Sequence, residues 1–355
     1  MKKSYSCFRL AFALAAFALA ATAGAASITA VGPAEFRAPA IAKSATPAML
    51  LPPGSPAHRI ELTAPTDAER AQLRAANAAA TASRKVTKGL AIAFPRTLPA
   101  DAARIDLAAL PWQTLPDGTR AARLEVHSPQ ALATRVALTA SPRDARISLR
   151  FIGNAPEAHA FGPVITTTIA EDIARFGVFW SPVLAGDVAT IEIAVAAGAE
   201  LAKASFVVSR IAHQVVAPGS LRKLDAKAAE DIGTAAPCEI DVACVTPQTA
   251  ALVNADKAVA AIEIQHANGL TYLCTGQLLN DSITSNTPYL FSASHCIDSA
   301  LAARTLNTFW FFDAIACGSK TVSAFVQQAA GSLCSRGATT TTGRWCASPP
   351  HRPRA

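Results

Sequence analysis

The fold-deciding segments are Cys274-Thr275-Gly276-Gln277-Leu278-Leu279-Asn280 and Pro288-Tyr289-Leu290-Phe291-Ser292-Ala293-Ser294-His295-Cys296. Their apolar, β-prone residues predict two strands joined by the polar loop 281–287. A disulfide between Cys274 and Cys296 would staple this hairpin and fix the backbone beside His295. A histidine held at the end of a buried strand can act as a general base, because its pKa lies near neutrality.

A zinc site and a purely structural histidine are the alternatives for the same residues. Zinc sites usually have closely spaced ligands such as C-x2-C, whereas Cys274 and Cys296 are far apart in the sequence. His295 and Cys296 are adjacent, so on a strand their side chains would point to opposite faces. We therefore expect a disulfide here, with no metal and no cofactor.

The N terminus has the pattern of a secretory signal peptide. The positive start Met1-Lys2-Lys3 precedes an apolar run over residues 10–21, and small residues follow up to residue 26. This run is shorter than the roughly 20 residues of a membrane-spanning helix, which argues against an anchor. We assign residues 1–26 to a signal peptide. We expect secretion to the extracellular space through the periplasm, with no membrane association after its removal.

The net charge of +7 does not indicate a nucleic-acid partner. Three of these positive charges lie in residues 1–26 and four in residues 331–355, and neither segment contains an acid. Residues 27–330 are therefore neutral overall. The basic character belongs to a removable leader and an unusual tail, so we assign it no nucleic acid and no other partner.

The cysteines are clustered in the second half of the chain. Apart from Cys7 in the leader, no cysteine precedes residue 238. In a secreted chain this clustering predicts disulfides confined to one domain. The candidates are Cys238, Cys244, Cys274, Cys296, Cys317, Cys334 and Cys346.

The first half divides into a lead-in and a β-rich region. Residues 27–60 are rich in Ala and Pro and predict an extended, weakly ordered lead-in. Thr66-Asp67-Ala68-Glu69 is a capping-box pattern, which predicts a helix to about Ser83. Short β-prone runs separated by turn residues then predict an antiparallel β-sandwich. These runs are Arg123–His127, Ala133–Leu138, Arg146–Ile152, Ala189–Val195 and Ala204–Ile211.

This composition gives a set of expected domain boundaries. Residues 61–216 form the region with the capped helix and the sandwich, and its histidines His127, His159 and His213 are interpreted as isolated surface or satisfied core residues. Residues 217–237 are polar and form a linker and processing region. Residues 238–330 form the cysteine-bearing domain, and residues 331–355 an aberrant tail.

The segment ending in His295-Cys296, preceded by the strand from Cys274, resembles the histidine box of chymotrypsin-like serine proteases. The wider pattern resembles the bacterial lysyl endopeptidase branch. Its elements are Cys238-Glu239-Ile240-Asp241-Val242-Ala243-Cys244, then Ala258–Ile262, the histidine box, Thr308-Phe309-Trp310-Phe311-Phe312-Asp313 and Cys317.

The resemblance implies a fold and a mechanism. Residues 238–330 would be the first β-barrel half of a chymotrypsin-like double barrel, and the sandwich would be its propeptide. His295 would be the general base of a Ser-His-Asp acyl-enzyme mechanism acting on protein or peptide substrates. The propeptide would bind the protease domain of the same monomeric chain.

The resemblance also implies disulfide pairs. Cys274 would pair with Cys296, and Cys244 with Cys317. Cys238 would pair with a cysteine near the far end of the domain, so it is expected to be left unpaired by truncation.

The remaining triad members are not evident in the sequence. After His295 the acidic residues are Asp298, which is too close, and Asp313, which falls on the wrong strand, and no Gly-x-Ser-Gly turn follows. A shifted reading frame over residues 338–347 can encode aspartates followed by alternating apolar residues. We therefore hypothesise a frameshift near residues 328–337, and expect the chain as it stands to be inactive. A native short protein with a disordered tail is the alternative.

Two other functions stay open at the level of sequence. One is a non-catalytic secreted protein that uses the β-sandwich for binding or for protease inhibition. The other is a structural zinc domain around Cys274 and Cys296. The residues give no indication of the side chain preferred at a cleavage site.

Overall fold

A computed structural model describes residues 48–82, 89–199, 201, 205–216, 240–279, 288–319, 322–329, 333–335 and 343–347. The predicted signal peptide, the linker 217–237, the loop 281–287 and Cys238 lie outside these residues. The described fold is mostly β, as predicted. Among its helices none is long and apolar enough to cross a bilayer.

The first sheet belongs entirely to the N-terminal region. Its order is β1-β5-β11-β7-β8, with β4 paired to β5. All pairs are antiparallel except β1 with β5, which is parallel and departs from the antiparallel expectation. The strands are β1 Ala57–Glu61, β4 Gln113–Thr114, β5 Arg120–His127, β7 Ile147–Gly153, β8 Phe161–Ile165 and β11 Val188–Val195.

The second sheet runs through both halves of the chain, with the central order β10-β6-β12-β2-β14-β13-β16-β17. Its N-terminal strands are β2 Leu90–Thr97, β3 Arg104–Ile105, β6 Ala133–Ala140, β9 Phe179–Trp180, β10 Leu184–Ala185 and β12 Phe206–Gln214. Its C-terminal strands are β13 Val259–Gln265, β14 Thr271–Leu279, β15 Tyr289–Ala293, β16 Asn307–Trp310, β17 Val326–Ala329, β18 Leu333–Ser335 and β19 Gly343–Ala347.

Short helices connect and cover the strands. They are α1 Asp67–Ala82, α2 Ala100–Ala103, α3 Thr166–Phe176, α4 Ala250–Asp256 and α5 Ala300–Arg304, with 3-10 turns at Leu107–Ala109 and Val242–Cys244. The predicted capping box is present at the start of α1. The Thr66 N–H donates to Glu69 Oε2 at 2.7 Å, and the Glu69 N–H donates to Thr66 Oγ1 at 3.2 Å.

The core of the N-terminal region lies between the two sheets. Along β7 the buried positions alternate, so that Leu149 and Phe151 face inward. They belong to one buried cluster with Val136 and Leu138 of β6, in the opposite sheet. Burying each such side chain contributes about 1.5–3 kcal/mol to the stability of the fold, so this cluster holds the two sheets of the sandwich together.

The lead-in is more ordered than its composition predicted. The backbone N–H groups of Leu50 and Leu51 donate to the Glu192 carboxylate at 2.6 and 3.0 Å. Glu192 is fully buried and also pairs with Arg123 at 3.3 Å. A buried carboxylate needs such partners, and the end of the lead-in supplies them. The expectation of weak order over residues 27–60 is therefore wrong for its last part, where β1 also begins.

The sheet seam between the halves was not predicted. Strand β2 pairs antiparallel with β14, opposing Ala91 to Tyr272 and Leu90 to Leu273. Leu73 of α1 packs over this seam in a buried cluster that contains Ile92, Phe94 and Tyr272. The expected sandwich and the expected protease half thus share one continuous sheet.

The tail also contains strands that its composition did not predict. Strand β19 pairs antiparallel with β15, and β18 pairs with β19, opposing the backbone of Cys334 to that of Cys346. The segment expected to be an aberrant tail therefore extends the sheet that carries the histidine segment.

Candidate functional site

The predicted hairpin is formed by β14 and β15. Their register opposes Gly276 to Ser292 and Leu279 to Tyr289. The Ser292 hydroxyl donates to the carbonyl of Thr275 at 2.8 Å, which ties the end of β15 to β14. A side chain at position 276 would come within 3.1 Å of Leu290, so the absence of a Cβ at Gly276 lets this buried leucine fit.

His295 lies in the turn that follows β15. The next residue, Cys296, forms a disulfide with Cys274 of β14, with a Cα–Cα distance of 6.2 Å. The N–H groups of Cys296 and Ile297 both donate to the carbonyl of Ala293, at 3.0 and 3.3 Å. Cys296 and Ile297 are buried while the His295 side chain is half-buried. The turn is thus anchored on both sides of a histidine that keeps some access to solvent.

The geometry bears on the zinc alternative. The ligand atoms of Cys274, His295 and Cys296 lie within 4.8 Å of one another, which is compact enough for a metal ion. Zinc binds cysteine as the thiolate. Both sulfur atoms are joined in the disulfide, so this group offers a metal only the imidazole. The arrangement is that of a stapled turn rather than a metal centre.

A second disulfide joins Cys244 to Cys317. It ties the 3-10 turn before α4 to the segment after β16. These are the two pairs that the family resemblance implies for the described cysteines.

Neither of the acids that follow His295 in the sequence contacts it. Asp298 Oδ2 lies 3.1 Å from Nδ1 of a different histidine, His266. Asp313 lies near Asp256 and Asp241, and burial together with these two charges raises the pKa of Asp313. Within the described ranges no carboxylate hydrogen-bonds to His295 or pairs with it.

Sequence reasoning missed His266. This residue is buried in the turn between β13 and β14, and its Nε2 lies 2.8 Å from the carbonyl oxygen of Cys296. His266 precedes Cys296 by 30 residues in the sequence. The turn pattern Asn268-Gly269 could have placed it at a hairpin, but nothing in the sequence indicates its contact.

The N-terminal histidines are not isolated. His127 lies between two carboxylates, with Nδ1 2.6 Å from Glu61 and Nε2 3.3 Å from Asp187. Although burial opposes it, hydrogen bonding to both acids raises the pKa of His127. His159 packs against Phe161 at 4.4 Å between ring centroids, and burial lowers its pKa.

His213 belongs to a buried polar network. Its Nδ1 lies 2.9 Å from the Ser128 hydroxyl, and Arg96 Nη1 donates to the same hydroxyl at 3.1 Å. Arg96 in turn pairs with Glu69 at 2.9 Å. Burial first, and then the charge of Arg96, lowers the pKa of His213 to about 3. A serine, a histidine and an acid thus lie together here, but Ser128 and His213 are fully buried and closed to substrate.

Comparison with known proteins gives one family for both halves. Residues 61–215 match the family model "Lysyl endopeptidase N-terminal domain", and residues 232–343 match "Lysyl endopeptidase, C-terminal domain". The chain is also 30% identical over 219 residues to the lysyl endopeptidase of Pseudomonas aeruginosa. That alignment covers 60% of this chain and 45% of the relative, so the chain spans less than half the length of that protein.

Proposed function

The chain belongs to the lysyl endopeptidase family, and on this premise we propose that it is the precursor of a secreted serine endopeptidase, with His295 as its general base. The observation that carries the proposal is the Cys274–Cys296 disulfide, which fixes a half-buried histidine at the end of β15. Signal-peptide cleavage after residue 26 would deliver the chain to the oxidising compartment that this disulfide requires.

In the proposed mechanism His295 accepts the proton of a serine hydroxyl as that hydroxyl attacks the scissile carbonyl. It then returns the proton to the leaving amine. The turn geometry suits this role, because neighbouring residues are locked by the disulfide and by the backbone bonds to Ala293. A positioned base of this kind contributes about 10²–10⁴-fold to the rate.

The 355 residues offer His295 no evident aspartate or serine partner of the required pattern. Asp298 and Asp313 are engaged elsewhere in the described structure. We therefore expect no hydrolysis from this chain by itself, and the frameshift near residues 328–337 remains our hypothesis for the missing partners.

We further propose that the N-terminal region acts as a propeptide that holds the histidine-bearing half. Strand β2 pairs with β14 directly before Cys274. A side chain at Gly89 would lie 2.5 Å from the carbonyl oxygen of Leu273 and would also overlap Cys274. The segment that begins β2 therefore lies closely against the disulfide that holds the proposed base.

Buried polar contacts support the same association. Arg135 of β6 is 1% exposed and donates to the carbonyls of Ser181 and Thr305, at 2.9 and 2.8 Å. Arg304 Nε donates to both carboxylate oxygens of Asp172 in α3, each at 2.9 Å. Separating the halves would remove the Thr305 acceptor from Arg135 and the Arg304 partner from Asp172, so both contacts favour association.

The experiment begins with resequencing the gene across codons 320–355 and onward. The longest frame is then expressed and treated with a covalent serine-protease probe. We expect labelling of a serine in a Gly-x-Ser-Gly turn, and its loss in His295→Ala. Labelling of an extended chain that survives His295→Ala would overturn the assignment. If the frame is confirmed without such a turn, the serine-protease proposal is wrong for this gene product.

A further inference from the structure

His266 occupies a fixed position beside the turn that carries His295. Its backbone N–H donates to the carbonyl of Leu270 at 3.0 Å, and its carbonyl accepts from Gly269 at 3.0 Å. Its ring lies against Tyr272, with 4.6 Å between centroids. The side chain is only 2% exposed, so it has few alternative positions.

The two ring nitrogens of His266 face two oxygen atoms of the His295 turn. Nε2 lies 2.8 Å from the carbonyl oxygen of Cys296, the residue after His295. Nδ1 lies 3.1 Å from Asp298 Oδ2, two residues further on. A carbonyl oxygen and a carboxylate oxygen only accept hydrogen bonds, so Nε2 donates to the carbonyl, and Nδ1 pairs with the Asp298 carboxylate only when His266 carries a proton on both nitrogens. His266 therefore links the β13–β14 turn to the backbone that directly follows the proposed base.

We propose that His266 is a positioning residue for His295, which it serves by holding the Cys296 carbonyl and the Asp298 carboxylate. This proposal rests on the proposed role of His295. The disulfide fixes the side chain of Cys296 to β14, and His266 fixes its carbonyl to the neighbouring turn. Together with the backbone bonds from Cys296 and Ile297 to Ala293, they hold the backbone that follows His295.

Two substitutions separate positioning from packing. His266→Gln keeps an amide N–H near the place of Nε2 but removes the ring from Tyr272. His266→Phe keeps the ring and its contact with Tyr272 but has no donor for the Cys296 carbonyl. If His266 positions the turn, the turn stays ordered in His266→Gln and becomes less ordered in His266→Phe. If His266 only packs against Tyr272, the turn stays ordered in His266→Phe and becomes less ordered in His266→Gln.

The measurement is the rate at which diethyl pyrocarbonate modifies His295 in the intact chain, resolved by peptide mass spectrometry. We expect His266→Phe to raise this rate about five-fold, the factor that corresponds to a hydrogen bond of ordinary net strength. His266→Gln should stay within about two-fold of the wild type on the same scale. A modification rate that is low in His266→Phe and high in His266→Gln would overturn the proposal.

A further variant keeps the test decisive if both substitutions unfold the chain. Asp298 is 45% exposed, so Asp298→Ala leaves the core intact. It should raise the modification rate about two-fold, because one of the two anchors of His266 is removed. An unchanged rate in Asp298→Ala would overturn the proposal. This readout reports order and not hydrolysis, so it is independent of whether His295 proves to be the catalytic base.

Discussion

The N-terminal region and the C-terminal half each contain a histidine in a defined environment, but the two environments differ in burial and in neighbours. In the N-terminal region His213 contacts Ser128 and is fully buried with it. In the C-terminal half His295 is half-buried, contacts no described carboxylate, and lies beside a disulfide. A serine that is hydrogen-bonded to a histidine does not by itself make a catalytic site, because a substrate must also reach the pair. Access to solvent distinguishes the two, because the backbone of His213 is also fixed, between β2 and β6.

The largest expected effect concerns the disulfides, which only the C-terminal half contains among the described residues. The Cys244–Cys317 and Cys274–Cys296 bonds close loops of 73 and 22 residues. On the chain-entropy argument their loss lowers the free energy of unfolding by about 4 and about 3 kcal/mol. Urea unfolding of the paired Cys→Ala variants would measure this.

The matched control for this comparison is Ser128→Ala, which alters the buried network of the other region. It should leave the exchange of C-terminal amides unchanged while it destabilises the sandwich. Equal destabilisation of both halves by the disulfide variants would contradict the distinction between the two regions.

The second prediction concerns the pH dependence of the contact between the regions. Glu263 of β13 is 2% exposed, and burial raises its pKa to about 7 against the opposing effects of Arg135 and Gln214. A carboxyl whose pKa is raised on folding binds more protons in the folded state, so the contribution of Glu263 to stability falls as pH rises from about 4.5 to about 7. We expect Glu263→Gln to flatten this slope, measured as the free energy of unfolding at pH 5 and pH 8.

Asp117→Asn is the control for the pH experiment, because Asp117 is exposed in the turn between β4 and β5, which belong to a different sheet from β13. Hydrogen bonding to Thr119 lowers the pKa of Asp117, so any effect of this control falls below pH 4. Because the shifted pKa values of His127 and His213 also contribute in this window, the test is the difference between wild type and variant: an identical slope in both would show that Glu263 does not control the pH dependence.

The smallest expected effect is local to the β2–β14 seam. Gly89→Val would force β2 away from Leu273, because its Cβ would lie 2.5 Å from that carbonyl oxygen. We expect hydrogen exchange at residues 271–273 to rise about ten-fold while the amides of β7 keep their protection. Gly177→Ala is the comparison, because a Cβ there meets no atom within 4 Å but the φ of +74° strains alanine at the end of α3, so exchange at residues 271–273 should stay unchanged. Equal exchange at residues 271–273 in both variants would contradict the pairing of β2 with β14.

The sequence predicted the elements whose pattern is local. The capping box at Thr66, the hairpin around His295 and the strands of the sandwich follow from short-range periodicity and turn chemistry. The contacts that it did not predict join distant residues. His266 reaches Cys296, Glu192 binds the lead-in, and β2 pairs with β14, each through bonds between residues far apart along the chain. Such contacts depend on tertiary packing, for which a single sequence provides no periodic indication.

The central claim is that His295, and not His213, is the base of a serine endopeptidase. The most direct measurement is kcat/KM for a peptide substrate with the longest expressed frame of the gene, compared between His295→Ala and His213→Gln. We predict a loss of about 10⁴-fold for His295→Ala, and retained activity at a lower melting temperature for His213→Gln. Retained activity in His295→Ala, or loss only in His213→Gln, would contradict the account.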